Sequence, residues 1–307
     1  MKSIVLIAVM LVGITVLSMA MTIGFCVSTL SNPYFVPFQS GAQAAAKLLG
    51  INLIFLNANN SNSTELNEVE DLIQRKVDAI VLDPTDSEAL VPAVIAANKA
   101  GIPVIDIDRV VYGGKVAWFM GCNNVEYGEM EAQSAAELLN GKGNIVILTG
   151  IPGASATRDR DKGIDEVLSK YPDIKVVARQ TAQFDKATAM SVMESILLAH
   201  PDINAVIAEN DEMALGAIQA IKTMGRSGII VIGGDGILEG LEAVKDGTET
   251  VDVALVDQPY TIAGLGVIAA YLTVRGVTLE PNTLGVKLVA VTKANVDQYI
   301  KLVEQGF

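Results

Sequence analysis

Residues Ser28 to Phe35, "STLSNPYF", follow the apolar run "TIGFCV" and place a hydroxyl, an amide and two adjacent aromatic rings at the end of a strand. Related chemistry stands at the ends of the later apolar runs. Asp108 and Arg109 follow "PVIDI", and Arg158 and Arg160 lie in "IPGASATRDRDKG" after "NIVILTG". Phe184 follows "VVARQTAQ", Asn210 follows "AVIAE", Asp235 follows "IIVIGG", and Asp257 and Gln258 follow "VDVALV". Carboxylates, amides and guanidiniums are planar and bidentate, so they match the adjacent donor and acceptor pairs of vicinal hydroxyls. Aromatic rings pack on the apolar C–H faces of a sugar. The set therefore suits a small polyhydroxylated ligand, with Tyr34 and Phe35 forming one wall and Phe184 the other. It contains no nucleophile beside a base, which argues against an enzyme.

Each residue also has a plainer reading. An Asp after a strand is often a helix N-cap, Arg158 is expected to face solvent, and Tyr34 and Phe35 alone would suit a core. The case rests on their joint placement at strand ends. The glycines of "VIGGDG" and "LTGIPG" complete neither a dinucleotide nor a P-loop fingerprint, so no cofactor is implied.

These residues need a scaffold that gathers strand ends. Ten short apolar runs, from "TIGFCVS" through "VDVALV", alternate with segments of helical period such as "FVPFQSGAQAAAKLLG" and "EMALGAIQAIKTMG". Such alternation predicts an α/β protein with doubly wound parallel sheets, whose ligands bind beyond the carboxyl ends of the strands. Ten strands are many for one sheet. Residues 77–108 and 203–235 repeat one pattern weakly: strand, acidic turn, Ala-rich helix, Gly, strand, Asp. Two similar lobes joined by a hinge are predicted, without a tether between them. Residues 21–122 with 258–284 are expected to form the first, and 123–257 with 285–307 the second.

The 307-residue chain is half apolar and carries a net charge of −13, so it can bury large cores and offers no basic surface for nucleic acid. Cys26 and Cys122 show no metal spacing and read as buried thiols, a single bridge being the alternative. No metal site is expected. The lone histidine, His200, ends an apolar helical run. The first twenty residues have one lysine, an uncharged stretch and the ending Ser18-Met19-Ala20, which fits a secretory signal peptide. The rival reading is a membrane anchor, because the uncharged run continues to Val27.

The motifs "VSTLSNPYFVPFQSGAQ", "LDPTDSEALVPAVIAANKAGIPVIDIDR", "GIPGASATRDRDKG", "AHPDINAVIAENDEMALGA" and "GDG" resemble those of the periplasmic ribose-binding proteins of sugar ABC transporters, over about residues 22–291. The resemblance implies a type I periplasmic binding fold and a monomeric, non-catalytic protein in the periplasm. It would pass a monosaccharide, with ribose first and other pentoses, inositol or hexoses behind, to a membrane permease. A chemoreceptor or other sensor ectodomain is the alternative partner. The resemblance implies that Ser28, Asn32, Asp108, Arg109, Arg160, Asn210 and Asp235 contact hydroxyls, with Tyr34, Phe35 and Phe184 as the aromatic walls. A further position near the last lobe crossing falls to Gln258 or Asp257. Tyr34 stands where ribose binders have Phe. N-terminal sequencing of the exported protein should begin at Met21; a chain that keeps Met1 in the membrane fraction would establish the anchor instead.

Overall fold

The structure, a computed structural model, describes residues 20–255, 259–278 and 280–304. All ten apolar runs form strands: β1 (Thr22–Val27), β2 (Asn52–Asn57), β3 (Ala79–Leu82), β4 (Val104–Ile107) and β5 (Val116–Cys122), then β6 (Gly143–Thr149), β7 (Ile174–Thr181), β8 (Ala205–Ala208), β9 (Ile230–Asp235) and β10 (Val251–Leu255). Two short strands follow, β11 (Thr283–Val286) and β12 (Leu288–Val291). They pair into two six-stranded sheets, ordered β11-β5-β4-β3-β1-β2 and β12-β10-β9-β8-β6-β7. The two orders are equivalent position by position, so the weak sequence repeat is a repeat of topology. Every pairing is parallel except that of β12 with β10. The central strands are buried along their whole length, which is why they read as unbroken apolar runs.

Helices α1 (Val36–Leu49), α2 (Asn62–Gln74) and α3 (Val91–Lys99) cover the first sheet, with α9 (Pro259–Val274) packed on α1 and on β3, β4 and β5. The second carries α4 (Asn124–Leu138), α5 (Ser155–Leu168), α6 (Lys186–Ala199), α7 (Asp211–Thr223), α8 (Leu238–Asp246) and α10 (Val296–Glu304). The chain passes between the lobes after β5, between Leu255 and Pro259, and at Lys287 between β11 and β12. The last crossing lies beyond the boundary expected after residue 284. Val286 still pairs with Cys122 on β5, an edge pairing that a four-residue strand does not advertise in its sequence. Cys26 and Cys122 are both free and buried, and His200 caps the C-terminus of α6.

The lobes touch directly. Ser87 donates its backbone N–H to the Gly153 carbonyl at 3.0 Å, and its Oγ accepts from the Ser155 N–H at 2.9 Å. Ser155 Oγ in turn accepts from the Val110 N–H at 3.0 Å. Arg158, expected to face solvent, instead reaches across to Glu88 at 2.7 Å, because the first turn of α5 abuts the loop before α3.

Within the second lobe, α4 and α5 cross at backbone contact. A Cβ at Gly128 would lie 2.0 Å from the Arg160 carbonyl oxygen, and one at Gly163 would lie 2.0 Å from that of Val125. This approach fixes where Arg160 stands. Gly128→Ala should therefore destabilise the protein by about 1–3 kcal/mol and shift Arg160, whereas Gly285→Ala, which meets open space, should leave the melting temperature unchanged. Equal melting curves for the two variants would contradict this account of the crossing.

Candidate functional site

Nine of the residues singled out by sequence meet around one small cavity between the lobes. Asn32, Tyr34, Phe35, Asp108 and Arg109 come from the first lobe; Arg160, Phe184, Asn210 and Asp235 come from the second, with Ala156 beside them. Of its ten lining side chains only Phe35, Ala156 and Phe184 carry no polar group.

The aromatic turn is built locally. Asn32 Oδ1 accepts the Tyr34 N–H at 2.9 Å, and Pro33 starts the 3-10 turn Pro33–Phe35, which swings both rings inward. Tyr34 and Phe35 meet edge to face at 5.0 Å, and Phe35 meets Phe38 likewise at 5.2 Å. The opposing ring, Phe184, sits on a residue with φ +56°, a left-handed conformation costly for an aromatic residue. Asp108 (φ +60°) and Asp235 (φ +111°) are similarly placed at the ends of β4 and β9. In all three the backbone turns sharply just where the side chain must point into the cleft.

Each lobe contributes one buried guanidinium. Arg109 Nε lies 3.7 Å from Asp108 and 3.9 Å from Asp83, and its guanidinium lies 5.3 Å from the Phe35 ring centroid and 5.6 Å from that of Phe184. Arg160 donates through Nε to Asn124 Oδ1 at 2.9 Å and through Nη1 to the Glu209 carbonyl, stacks 3.6 Å over Tyr127, and lies 3.8 Å from Asp235. Asp108 also accepts the Tyr34 hydroxyl at 3.0 Å, which occupies one carboxylate oxygen.

Ser28 departs from expectation. It is fully buried and does not line the cavity; its hydroxyl donates to Asp83 Oδ2 at 2.6 Å and its N–H to the same atom at 3.0 Å. It stands behind Arg109 through Asp83. Asp83 itself was missed, although it ends a strand like the others, because "LDPT" reads as a turn. Asn124 and Tyr127 lie within a helix and gave no such signal. Gln258 and Asp257 lie outside the described residues.

Burial pushes the Asp235 carboxyl up to about 7, against the pull of Arg160. Asp83 and Asp106 are likewise raised by burial to about 7, and Glu65 to about 8. The Cys122 thiol is pushed up to about 12 by burial, so it is no nucleophile at neutral pH. Among the described residues the site offers donors, acceptors and rings, and no nucleophile–base pair.

The raised carboxyls set a pH dependence. Between their ordinary values near 4 and about 7–8, the folded chain holds protons that the unfolded chain has lost. Unfolding then releases protons, so stability falls as pH rises through that window. The ligand-free protein should melt lower at pH 8 than at pH 5, and Asp235→Asn should flatten part of the slope. A midpoint that rises across this range would refute the assignment.

The profile of the periplasmic binding protein domain family matches residues 23–277. The chain is 44% identical over 249 residues to the ribose import binding protein of Bacillus subtilis (strain 168), covering 81% of this chain and 80% of that protein. Among solved structures it is similar to a periplasmic solute-binding protein of an ABC transporter from Actinobacillus succinogenes 130z with bound D-allose. That match has a TM-score of 0.83 at 35% identity and covers 91% of this chain and all (100%) of the other. It is also similar to a solute-binding protein from Bacillus halodurans C-125 with bound myo-inositol, with a TM-score of 0.86 at 32% identity, covering 92% of this chain and 97% of the other.

Proposed function

The chain belongs to the periplasmic binding protein family and is a sugar-binding protein of ABC transport rather than an enzyme, and on that premise we propose that it is exported, closes around one ribose-like pentose and delivers it to a membrane permease. The observation that carries this reading is the convergence of two buried Arg–Asp pairs, one from each lobe, on a single small cavity walled by aromatic rings. A pentose ring between Tyr34 and Phe35 on one side and Phe184 on the other would present its rim hydroxyls to Asp108 and Arg109 and to Arg160, Asn210 and Asp235. Each such contact is a charge-assisted or amide hydrogen bond, and neither lobe completes the set alone.

Closure follows from that division. Rigid-body rotation about the three crossings would part the lobes and open the cavity, and a ligand that touches both favours the closed arrangement. The Ser87–Gly153 and Ser87–Ser155 hydrogen bonds, which join the two lobes, belong to that arrangement. A permease that reads both lobes at once would accept the closed form of a single copy. No helix of the described residues is long and apolar enough to cross a membrane.

The reading is tested by mass spectrometry of ligand retained on gentle purification, then calorimetry against ribose, other pentoses, D-allose and myo-inositol. Ribose should bind tightest. Binding of myo-inositol with no pentose bound would replace the pentose by a cyclic polyol. Arg109→Ala and Arg160→Ala should each lose about 1.5–3 kcal/mol of binding, roughly ten- to more than a hundredfold in Kd. Arg158→Ala removes a half-exposed pair worth at most about 1 kcal/mol, so it should weaken binding by less than about tenfold. Full affinity in both Arg109→Ala and Arg160→Ala would exclude this cavity.

A further inference from the structure

Behind the turn that presents Asp235, three carboxylates from separate parts of the second lobe converge. Asp211 is the first residue of α7, Glu249 precedes β10, and Asp252 lies on β10 directly opposite Gly233 of β9. One oxygen from each lies within 4.8 Å of the other two. Glu249 is 1% exposed, both its oxygens lack any hydrogen-bond partner, and it is aimed into the Asp211–Asp252 pair. Both oxygens of Asp252 and one of Asp211 are unpartnered as well. Among the described residues no lysine or arginine pairs with any of the three. The space is kept for them: a Cβ at Gly233 would lie 2.5 Å from Glu249 Oε1, and one at Gly240 would lie 2.4–2.6 Å from the carboxylate of Asp211.

Unpaired carboxylates are not held dry without compensation. We propose that Asp211, Glu249 and Asp252 bind one hard divalent cation, calcium before magnesium or manganese, as a structural site of the second lobe. All the donors are carboxylate oxygens, the ligand type of calcium, magnesium and manganese rather than of zinc or copper. Calcium–oxygen distances of about 2.3–2.6 Å place two ligands of one ion at most about 5 Å apart, and the three oxygens fall inside that limit. The site bears on the cleft through the backbone. Asp211 Oδ2 accepts the Ile237 N–H at 2.9 Å, so a cation that immobilises Asp211 also fixes the turn after Asp235.

The test uses the mature protein, stripped with EDTA and given calcium, magnesium or manganese singly. Metal analysis should find one ion per chain. At a hundredfold excess over Kd the thermal midpoint should rise by about 5 °C or more. Glu249→Gln with Asp252→Asn should abolish both effects, whereas Asp297→Asn, in an exposed pair with Lys245, should keep them. Manganese-soaked crystals of the unaltered protein provide a second readout that does not depend on the double variant folding, with an anomalous peak expected between the three side chains. Substoichiometric metal with a midpoint indifferent to EDTA would overturn the proposal and leave the cluster neutralised by protons. A peak elsewhere, or a full cation response in the folded double variant, would overturn it equally.

Discussion

Two guanidiniums held out of water at the meeting of two lobes are the constraint around which the molecule is arranged. A buried charge is tolerated only when partners surround it. Around Arg109 these are Asp108, Asp83 and two aromatic faces; around Arg160 they are Asn124, the Glu209 carbonyl, Asp235 and the face of Tyr127. Supplying them draws on the ends of several strands and on α4, and so fixes how those elements stand. Ser28 illustrates the depth of the arrangement: it does not line the site cavity, yet it donates twice to the carboxylate that faces Arg109.

The two sheets share one strand order, and the site inherits that repeat. Asp108 ends β4 and Asp235 ends β9, equivalent strands, and both residues take left-handed backbone conformations. Such conformations cost on the order of 1–3 kcal/mol each and persist here because the flanking elements, β4 and β5 in one lobe and β9 and α8 in the other, are held by packing. The same packing lets α4 and α5 cross at glycines, which sets the height of Arg160 in the cleft.

Much of this was legible in the chain. A strand buried on both faces must be an unbroken apolar run, so β1 to β10 announced themselves, and the ligand rule for parallel sheets then pointed to Asn32, Tyr34, Phe35, Asp108, Arg109, Arg160, Phe184, Asn210 and Asp235. What escaped lacked a local signature. β11 and β12 are four-residue edge strands whose existence depends on the neighbour they pair with. Arg158 looked like any solvated helix residue, because its partner Glu88 lies seventy positions away on the other lobe.

The sequence by itself determined the alternation of strand and helix, the duplication of the lobe, and which residue types stand at the strand ends. These follow from the period of apolar residues and from turn chemistry, which act over a few neighbouring positions. Only the tertiary structure decided that Ser28 serves Asp83 rather than the cavity, that Arg160 stacks on Tyr127, and that Asp211, Glu249 and Asp252 form one buried cluster. Electrostatic pairing depends on distance through space, and residues far apart along the chain come within reach only when two helices or two lobes pack at a particular angle.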